Sequence, residues 1–260
     1  MTTIKPGAGG GRCAPPSRAR TEALFRSSGA FREGHFLLKS GRHGDAYVEK
    51  FQVLQDPAAT SELCGFCGGR TAASPAASRL VDLVAGPTTG GVILAFETGR
   101  QLGVRAIFAE EVRDDDGTLR REFRRGFRIE PGERVLLVDD ILTTGGSLLA
   151  MLPAVEAMGG EIVECVVLVD RSGGALDAAP RRRPGASIRF ASLWQLDLPT
   201  YEPGPETCPR CADGTPLYAP AAPGTGVAGT AGDCRGRLTP FRGSTNPQPV
   251  RACPRASSSS

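Results

Sequence analysis

Lysine is nearly missing from this 260-residue chain: among 31 lysines and arginines, lysine stands only at Lys5, Lys39 and Lys50. With 28 acidic residues the net charge is just +3, too small to point to nucleic acid by itself. The arginine bias reads as genomic base composition more than function. Long apolar runs are missing too; nothing approaches the roughly 18 apolar residues of a membrane span, so no membrane-spanning helix is expected. Eight cysteines occur, but at irregular positions and with no apolar signal segment ahead of them. That usage fits a reduced, cytoplasmic protein better than a disulfide framework. Ahead of Glu22, the first acid, stand Lys5, Arg12, Arg18 and Arg20. Transit peptides share that pattern, but a disordered leader over residues 1–17 is the favoured reading.

What is present is enough for one sizeable core, since 40% of residues are hydrophobic, while 34 glycines and 21 prolines place part of the chain outside it. A helix is expected over residues 18–28, then a small strand pair in GHFLLKSGRHGDAYVEKFQVL. Residues 57–79 begin like a helix, weakened by Gly65, Gly68, Gly69 and Pro75. From there the pattern alternates: strand 79–86, helix 91–103, strand 104–111, a charged loop, strand 134–140, helix 146–159, strand 161–170 and a closing strand at 188–194. Strands that read as continuous apolar runs between helices predict an α/β fold, a parallel sheet covered on both faces. Residues 219–260, rich in Ala, Gly, Pro, Ser, Thr and Arg, read as a disordered tail.

The chemistry concentrates in RVLLVDDILTTGGS, residues 134–147. In an open parallel sheet, ligands bind where strands end and helices begin. Successive N–H groups in Thr143, Thr144, Gly145, Gly146 and Ser147 form a cradle for a phosphate, with hydroxyls as added donors. Asp139 and Asp140 just upstream are acceptors suited to a vicinal diol, directly or beside a hydrated Mg²⁺. Phosphate, diol and metal together describe a phosphorylated ribose. An apolar strand ending in acids also occurs in phosphohydrolases and metal-binding proteins, and in P-loop ATPases, but no G-x-x-x-x-G-K-[ST] is present.

On these residues the chain resembles the type I phosphoribosyltransferase family, whose hallmark is this phosphoribosyl-diphosphate loop. Further motifs resemble its orotate phosphoribosyltransferase branch: FLLKSGRHGDAY at 36–47, VAGPTTGGVILA at 84–95 and VLVDRSGG at 167–174. The resemblance covers residues 18–218. It implies a parallel sheet flanked by helices with a small hood, made of about residues 18–56 plus a C-terminal part. It implies transfer of phosphoribosyl from 5-phosphoribosyl 1-diphosphate to orotate in pyrimidine biosynthesis, with Mg²⁺ carried by the diphosphate and no metal ligand assigned to the protein. Thr88, Thr89, Gly90 and Gly91 would then hold the diphosphate, and Lys39, Thr143 and Arg171 would meet orotate. A homodimer with phosphoribosyl diphosphate and orotate as its partners is expected; membrane and nucleic-acid partners are not.

One segment departs from that pattern. Many relatives carry a Lys after the Gly-Pro of the diphosphate loop and a mobile loop rich in Lys with a His. Here Thr89, Gly90 and Gly91 replace the former, and the loop EEVRDDDGTLRREFRRGF has neither residue. Arg120, Arg121, Arg124 and Arg125 are the candidates for its catalytic charge, resembling an arginine variant in a bacterial branch. A transferase for another base, or a non-catalytic regulator binding phosphoribosyl diphosphate, are the competing functions. Two CxxC pairs, Cys64–Cys67 and Cys208–Cys211, lie too far apart in sequence for a local zinc ribbon.

Overall fold

The computed structural model describes residues 18–38, 40–72, 81–173, 188–220, 230–232 and 238–240. In chain order its elements are α1 (Arg18–Ser27), β1 (Phe31–Leu37), β2 (His43–Val48), α2 (Lys50–Leu54), α3 (Pro57–Ala72), β3 (Leu83–Pro87), α4 (Gly90–Leu102), β4 (Arg105–Arg113) and β5 (Leu119–Glu122). There follow β6 (Arg134–Leu142), α5 (Gly146–Leu149), α6 (Met151–Ala157), β7 (Glu161–Asp170), β8 (Arg189–Gln195), β9 (Thr200–Tyr201), α7 (Pro209–Ala212), β10 (Leu217–Ala219), β11 (Thr230–Gly232) and β12 (Leu238–Pro240). They divide into two units, one from residues 1–30 and 49–197, the other from 31–48 and 198–260.

The first unit holds a six-stranded sheet in the order β5-β4-β3-β6-β7-β8. All its pairings are parallel except β4–β5. The apolar runs explain this arrangement. Every residue of β3 is buried, as are Val135 to Asp140 in β6, because helices cover both faces. Leu83, Ala85, Val135, Leu137 and Val167 pack with Leu148, Met151, Leu152 and Val155 of α5 and α6. At the β8 edge, α1 docks with the Phe25 ring 5.7 Å from that of Trp194.

Several elements differ from the sequence reading. The expected helix 146–159 is broken at Ala150, because Pro153 has no N–H to give the Leu149 carbonyl and belongs in a first turn. α3 forms in spite of its glycines; a Cβ on Gly65 would lie 3.1 Å from Gln101 Oε1, so the small residue permits close packing on α4. The charged loop is a hairpin, with Glu110–Arg113 paired to Leu119–Glu122 and the turn closed at Gly117, φ +83°. The expected hood of 18–56 is narrower, since α1 and α2 belong to the first unit.

The second unit is a sheet in the order β12-β11-β10-β1-β2-β9. β1 and β2 are antiparallel, with a register shift between Glu33 and Phe36. At this bulge the alternation of faces fails, and His35 and Phe36 are both buried. Lys50–Leu54, expected in the strand pair, is helical instead. Two short strands, β11 and β12, fall within the segment read as a disordered tail; they pair with each other and β11 with β10, which gives their backbone groups partners without any apolar pattern. Apart from Ala219 and Pro220, the rest of that tail lies outside the described residues, as does the leader 1–17.

Candidate active site

β3, β6 and β7 are parallel neighbours, so the loops after Pro87, Leu142 and Asp170 leave the sheet on one edge. β3 continues through α4 to β4 on one side, while β6 lies on its other side. The gap above β3 and β6 is therefore a topological switch point, where open α/β sheets bind ligands.

Close backbone approach shapes the first of these loops. A Cβ on Gly86 would lie 2.3 Å from the Gly91 carbonyl oxygen, and one on Gly90 would lie 1.8 Å from Asp140 Oδ2. At 86 the obstacle is backbone, and at 90 it is the Asp140 carboxylate, which a side chain there would displace. The loop between them runs through Thr88, whose N–H donates to the Ala109 carbonyl at 3.0 Å, and exposed Thr89.

Asp139 and Asp140 end the continuous buried run of β6, and successive strand residues face opposite sides. Asp139 thus shares the face of Val135 and Leu137 with α5 and α6. Asp140 lies on the α4 face, beside Gly90 and Lys50, whose Nζ is 2.9 Å from Oδ1 and 2.8 Å from Oδ2. The Asp140 N–H donates to Asp139 Oδ1 at 2.8 Å and the Ile141 N–H to Asp140 Oδ1 at 2.6 Å. Burial, and next the Asp140 carboxylate, push the Asp139 carboxyl up to about 7. The two acids are therefore not a matched pair: one is held by a lysine, the other keeps a proton up to near neutrality.

Beyond β6, Thr143, Thr144 and Gly146 are exposed, and Gly145 turns the chain at φ +81°. The first backbone bonds after the loop run from Leu149 N–H to Gly145 O and from Ala150 N–H to Gly146 O. The N–H groups of Gly146, Ser147 and Leu148 come before any intrahelical acceptor.

Arg121 of β5 joins the two loops. Its Nη2 donates to Ser147 Oγ at 2.6 Å, and its Nη1 lies 3.2 Å from Thr88 Oγ1 and 3.4 Å from the Thr88 carbonyl. Its side chain is only 8% exposed. The other candidate arginines lie in exposed ion pairs: Arg120 with Asp114 and Glu122, Arg124 with Glu122, and Arg125 with Glu110.

A phosphoribosyl transferase domain matches residues 73–181, the stretch that carries both loops and the Asp pair. The chain is 40% identical over 206 residues to the orotate phosphoribosyltransferase of Pelotomaculum thermopropionicum, covering 79% of this chain and 98% of that one. The chain belongs to the orotate phosphoribosyltransferase family. The enzyme of that name from Chlorobaculum parvum is 38% identical, with 79% and 96% covered. The crystal structure of orotate phosphoribosyltransferase from Aeropyrum pernix superposes with a TM-score of 0.55 at 27% identity, covering 67% of this chain and 92% of that one.

Of the residues expected to face orotate in this family, Arg171 directly follows β7, and its N–H donates to the Leu142 carbonyl at 2.8 Å. It therefore stands beside the end of β6 that leads into Thr143. Lys39 lies outside the described residues. Lys50 is the residue that sequence reasoning passed over, and the family motifs quoted above stop short of it. Its signal was scarcity: a lysine in a chain that otherwise uses arginine. Cys64 and Cys67 are core residues of α3; the Cys64 thiol is 3.7 Å from the Leu94 carbonyl, and burial pushes it up to about 12, far from a reactive thiolate.

Proposed function

We propose that this chain transfers the phosphoribosyl group of 5-phosphoribosyl 1-diphosphate to orotate, giving orotidine 5′-phosphate and diphosphate in pyrimidine biosynthesis. The observation that carries the reading is the Arg121 side chain set between the Thr88 loop and the Ser147 loop above the Asp139–Asp140 strand end. Thr143 to Ser147 take the 5′-phosphate through backbone N–H groups and hydroxyls. Asp139 and Asp140, one on each face of β6, accept from the ribose hydroxyls, and Lys50 holds Asp140 in place. Thr88 to Gly91 receive the diphosphate in a turn where a Cβ at 90 would strike the Asp140 carboxylate. Arg171 offers a fork-shaped donor to the orotate carboxylate, beside Thr143.

As the bond to diphosphate breaks, positive charge grows on the sugar and negative charge on the leaving group, so positioning and charge neutralisation dominate the rate. Arg121 supplies the neutralising charge from the protein. A guanidinium stays protonated in proteins, so its contribution is electrostatic and not proton donation. An all-oxygen donor set at the strand end, two carboxylates and the loop hydroxyls, suits hydrated Mg²⁺ carried by the diphosphate, which would add charge neutralisation.

The same reading includes a homodimer. Ile93 and Phe96, one turn apart on α4, are 37% and 67% exposed, and Phe51 of α2 is 38% exposed; these apolar side chains fit a face covered by a second copy. Buried free thiols at Cys64, Cys67 and Cys165 fit a reducing, cytoplasmic setting. The test is a base panel: phosphoribosyl diphosphate and Mg²⁺ with orotate, uracil, adenine or hypoxanthine, nucleotide products separated by chromatography. Orotidine 5′-phosphate as the dominant product is expected; a purine nucleotide instead would assign the site to another base.

A further inference from the structure

The second unit contains a cluster that the transferase chemistry does not use. His35, His43, Cys208 and Cys211 are all buried, and their ligand-capable atoms lie within 4.8 Å of one another. Cys211 Sγ is 3.3 Å from His43 Nδ1 and 3.7 Å from His35 Nε2, and Cys208 Sγ is 3.6 Å from His35 Nε2. His35 Nε2 and His43 Nδ1 are 2.8 Å apart. Four ligands around one tetrahedral Zn²⁺, with Zn–N near 2.0–2.1 Å and Zn–S near 2.3 Å, would stand about 3.3–3.8 Å from each other. The three sulfur–nitrogen separations just given already match, the two nitrogens need to part by about half an ångström, and the widest separation, up to 4.8 Å, needs to close by about one.

The hydrogen bonding points the same way. His35 Nδ1 is 2.8 Å from the Thr215 carbonyl; a carbonyl only accepts, so Nδ1 carries the hydrogen and Nε2 presents its lone pair to the cluster. That is the outer-shell arrangement which fixes a metal-ligating histidine. In the metal-free state three hydrogens, those of His43 Nδ1 and the two thiols, would compete for this one good acceptor. Binding a divalent ion resolves the conflict: both thiol protons leave to solvent, His43 carries its hydrogen on Nε2, and two thiolates balance the two positive charges.

We infer that His35, His43, Cys208 and Cys211 form a structural Zn²⁺ site that ties β1 and β2 to α7. Four protein ligands leave no open position, which marks a structural site and not a catalytic one. A two-iron cluster would need its ligands spread around two metal atoms, whereas these converge on one point. The fold builds the site deliberately in three places. The bulge at Gly34 turns His35 inward next to Phe36. His43 opens β2. Cys208 caps α7 with extended backbone and Pro209 follows at the first helical position, so the CPRC turn brings both sulfurs to one side. The remaining buried apolar side chains described in this unit are Phe31, Phe36, Ala46, Val48 and Leu217. So small a core calls for a staple, and Cys211 and His43 are 168 residues apart in the chain.

The experiment uses the full chain, purified without a histidine tag and analysed by elemental mass spectrometry. Equimolar zinc is expected in the wild type and in a Cys64→Ala, Cys67→Ala variant, with zinc lost from Cys208→Ser, Cys211→Ser and His43→Gln. Chelator-stripped wild type given Co²⁺ alone should develop the absorption of a tetrahedral cobalt–thiolate centre, and this decides the matter if the variants fail to fold. Wild type that holds no zinc and gives no thiolate band with Co²⁺ would overturn the inference. So would a Cys208–Cys211 disulfide in the freshly purified protein, equimolar iron in place of zinc, or zinc retained by a folded Cys208→Ser, Cys211→Ser double variant.

Discussion

Arg121 Nη2 lies 2.6 Å from Ser147 Oγ, and the same guanidinium reaches Thr88, so one side chain ties the β4–β5 hairpin to both loops at the strand ends. Sequence offered four arginines without ranking them; burial and partners rank them. Arg121→Ala is expected to lower kcat by about 100-fold or more, the loss typical of one preorganised donor to developing charge. Arg120→Ala, Arg124→Ala and Arg125→Ala remove only exposed ion pairs and should stay close to wild type. Steady-state kinetics of the four variants checks this, and a normal kcat for Arg121→Ala would transfer the role elsewhere.

Lys50 is the cation of Asp140, a carboxylate only 4% exposed. Lys50→Met leaves that carboxylate without its partner. Since Lys50 itself is 32% exposed, water recovers part of the loss, and the expected destabilisation is about 1.5–3 kcal/mol. A folded Lys50→Met should also bind phosphoribosyl diphosphate more weakly, with Lys50→Arg intermediate. Denaturant unfolding and calorimetric titration read the two effects; a variant with unchanged stability and affinity would show that the ion pair is incidental.

Asp139 makes stability depend on pH in a defined direction. Its carboxyl sits at about 7 in the native state because burial and the Asp140 charge oppose ionisation, against roughly 3.9 in an unfolded chain. Between those values the native state holds a proton that the unfolded state has released, so raising the pH through this window weakens the fold, and the loss is complete above it. Ligand-free Asp139→Asn should therefore melt higher than wild type at about pH 8, with the difference closing toward about pH 4. Thermal melts across that range test it; a variant that melts lower than wild type at the alkaline end would contradict it.

Phe96, the most exposed large apolar side chain described, stands on α4 three residues from Ile93. Phe96→Asp should convert a dimer to a monomer without unfolding it, because most of the side chain already faces solvent in the single chain. Light scattering coupled to gel filtration gives the answer, and a dimer unaffected by the charge would place the interface on another surface.

Much of this was legible in the sequence, for identifiable reasons. Apolar runs read at 79–86, 134–140 and 161–170 announced the buried parallel strands found at 83–87, 134–142 and 161–170, and the Asp pair with the Thr143 to Ser147 loop followed from the end of the second. Position along a chain does not encode convergence across it. Arg121 became distinct from Arg120 only when the hairpin aimed one at Ser147 and the other at Asp114. Lys50 lies 90 residues from its partner Asp140. Spacing relates the cysteines only to each other, yet Cys208 and Cys211 have histidines as neighbours, and the bulge that turns His35 inward has no clear mark beyond Gly34.

The most direct measurement is loss of orotate absorbance on mixing the protein with phosphoribosyl diphosphate and Mg²⁺, alongside Asp139→Asn, Asp140→Asn in a folded double variant. Orotate consumption that requires both co-substrates is expected in the wild type and should be abolished in the double variant, where the ribose diol loses several kcal/mol of transition-state binding. A folded wild type that binds phosphoribosyl diphosphate but leaves orotate unchanged, or a double variant that turns over at the wild-type rate, would contradict it.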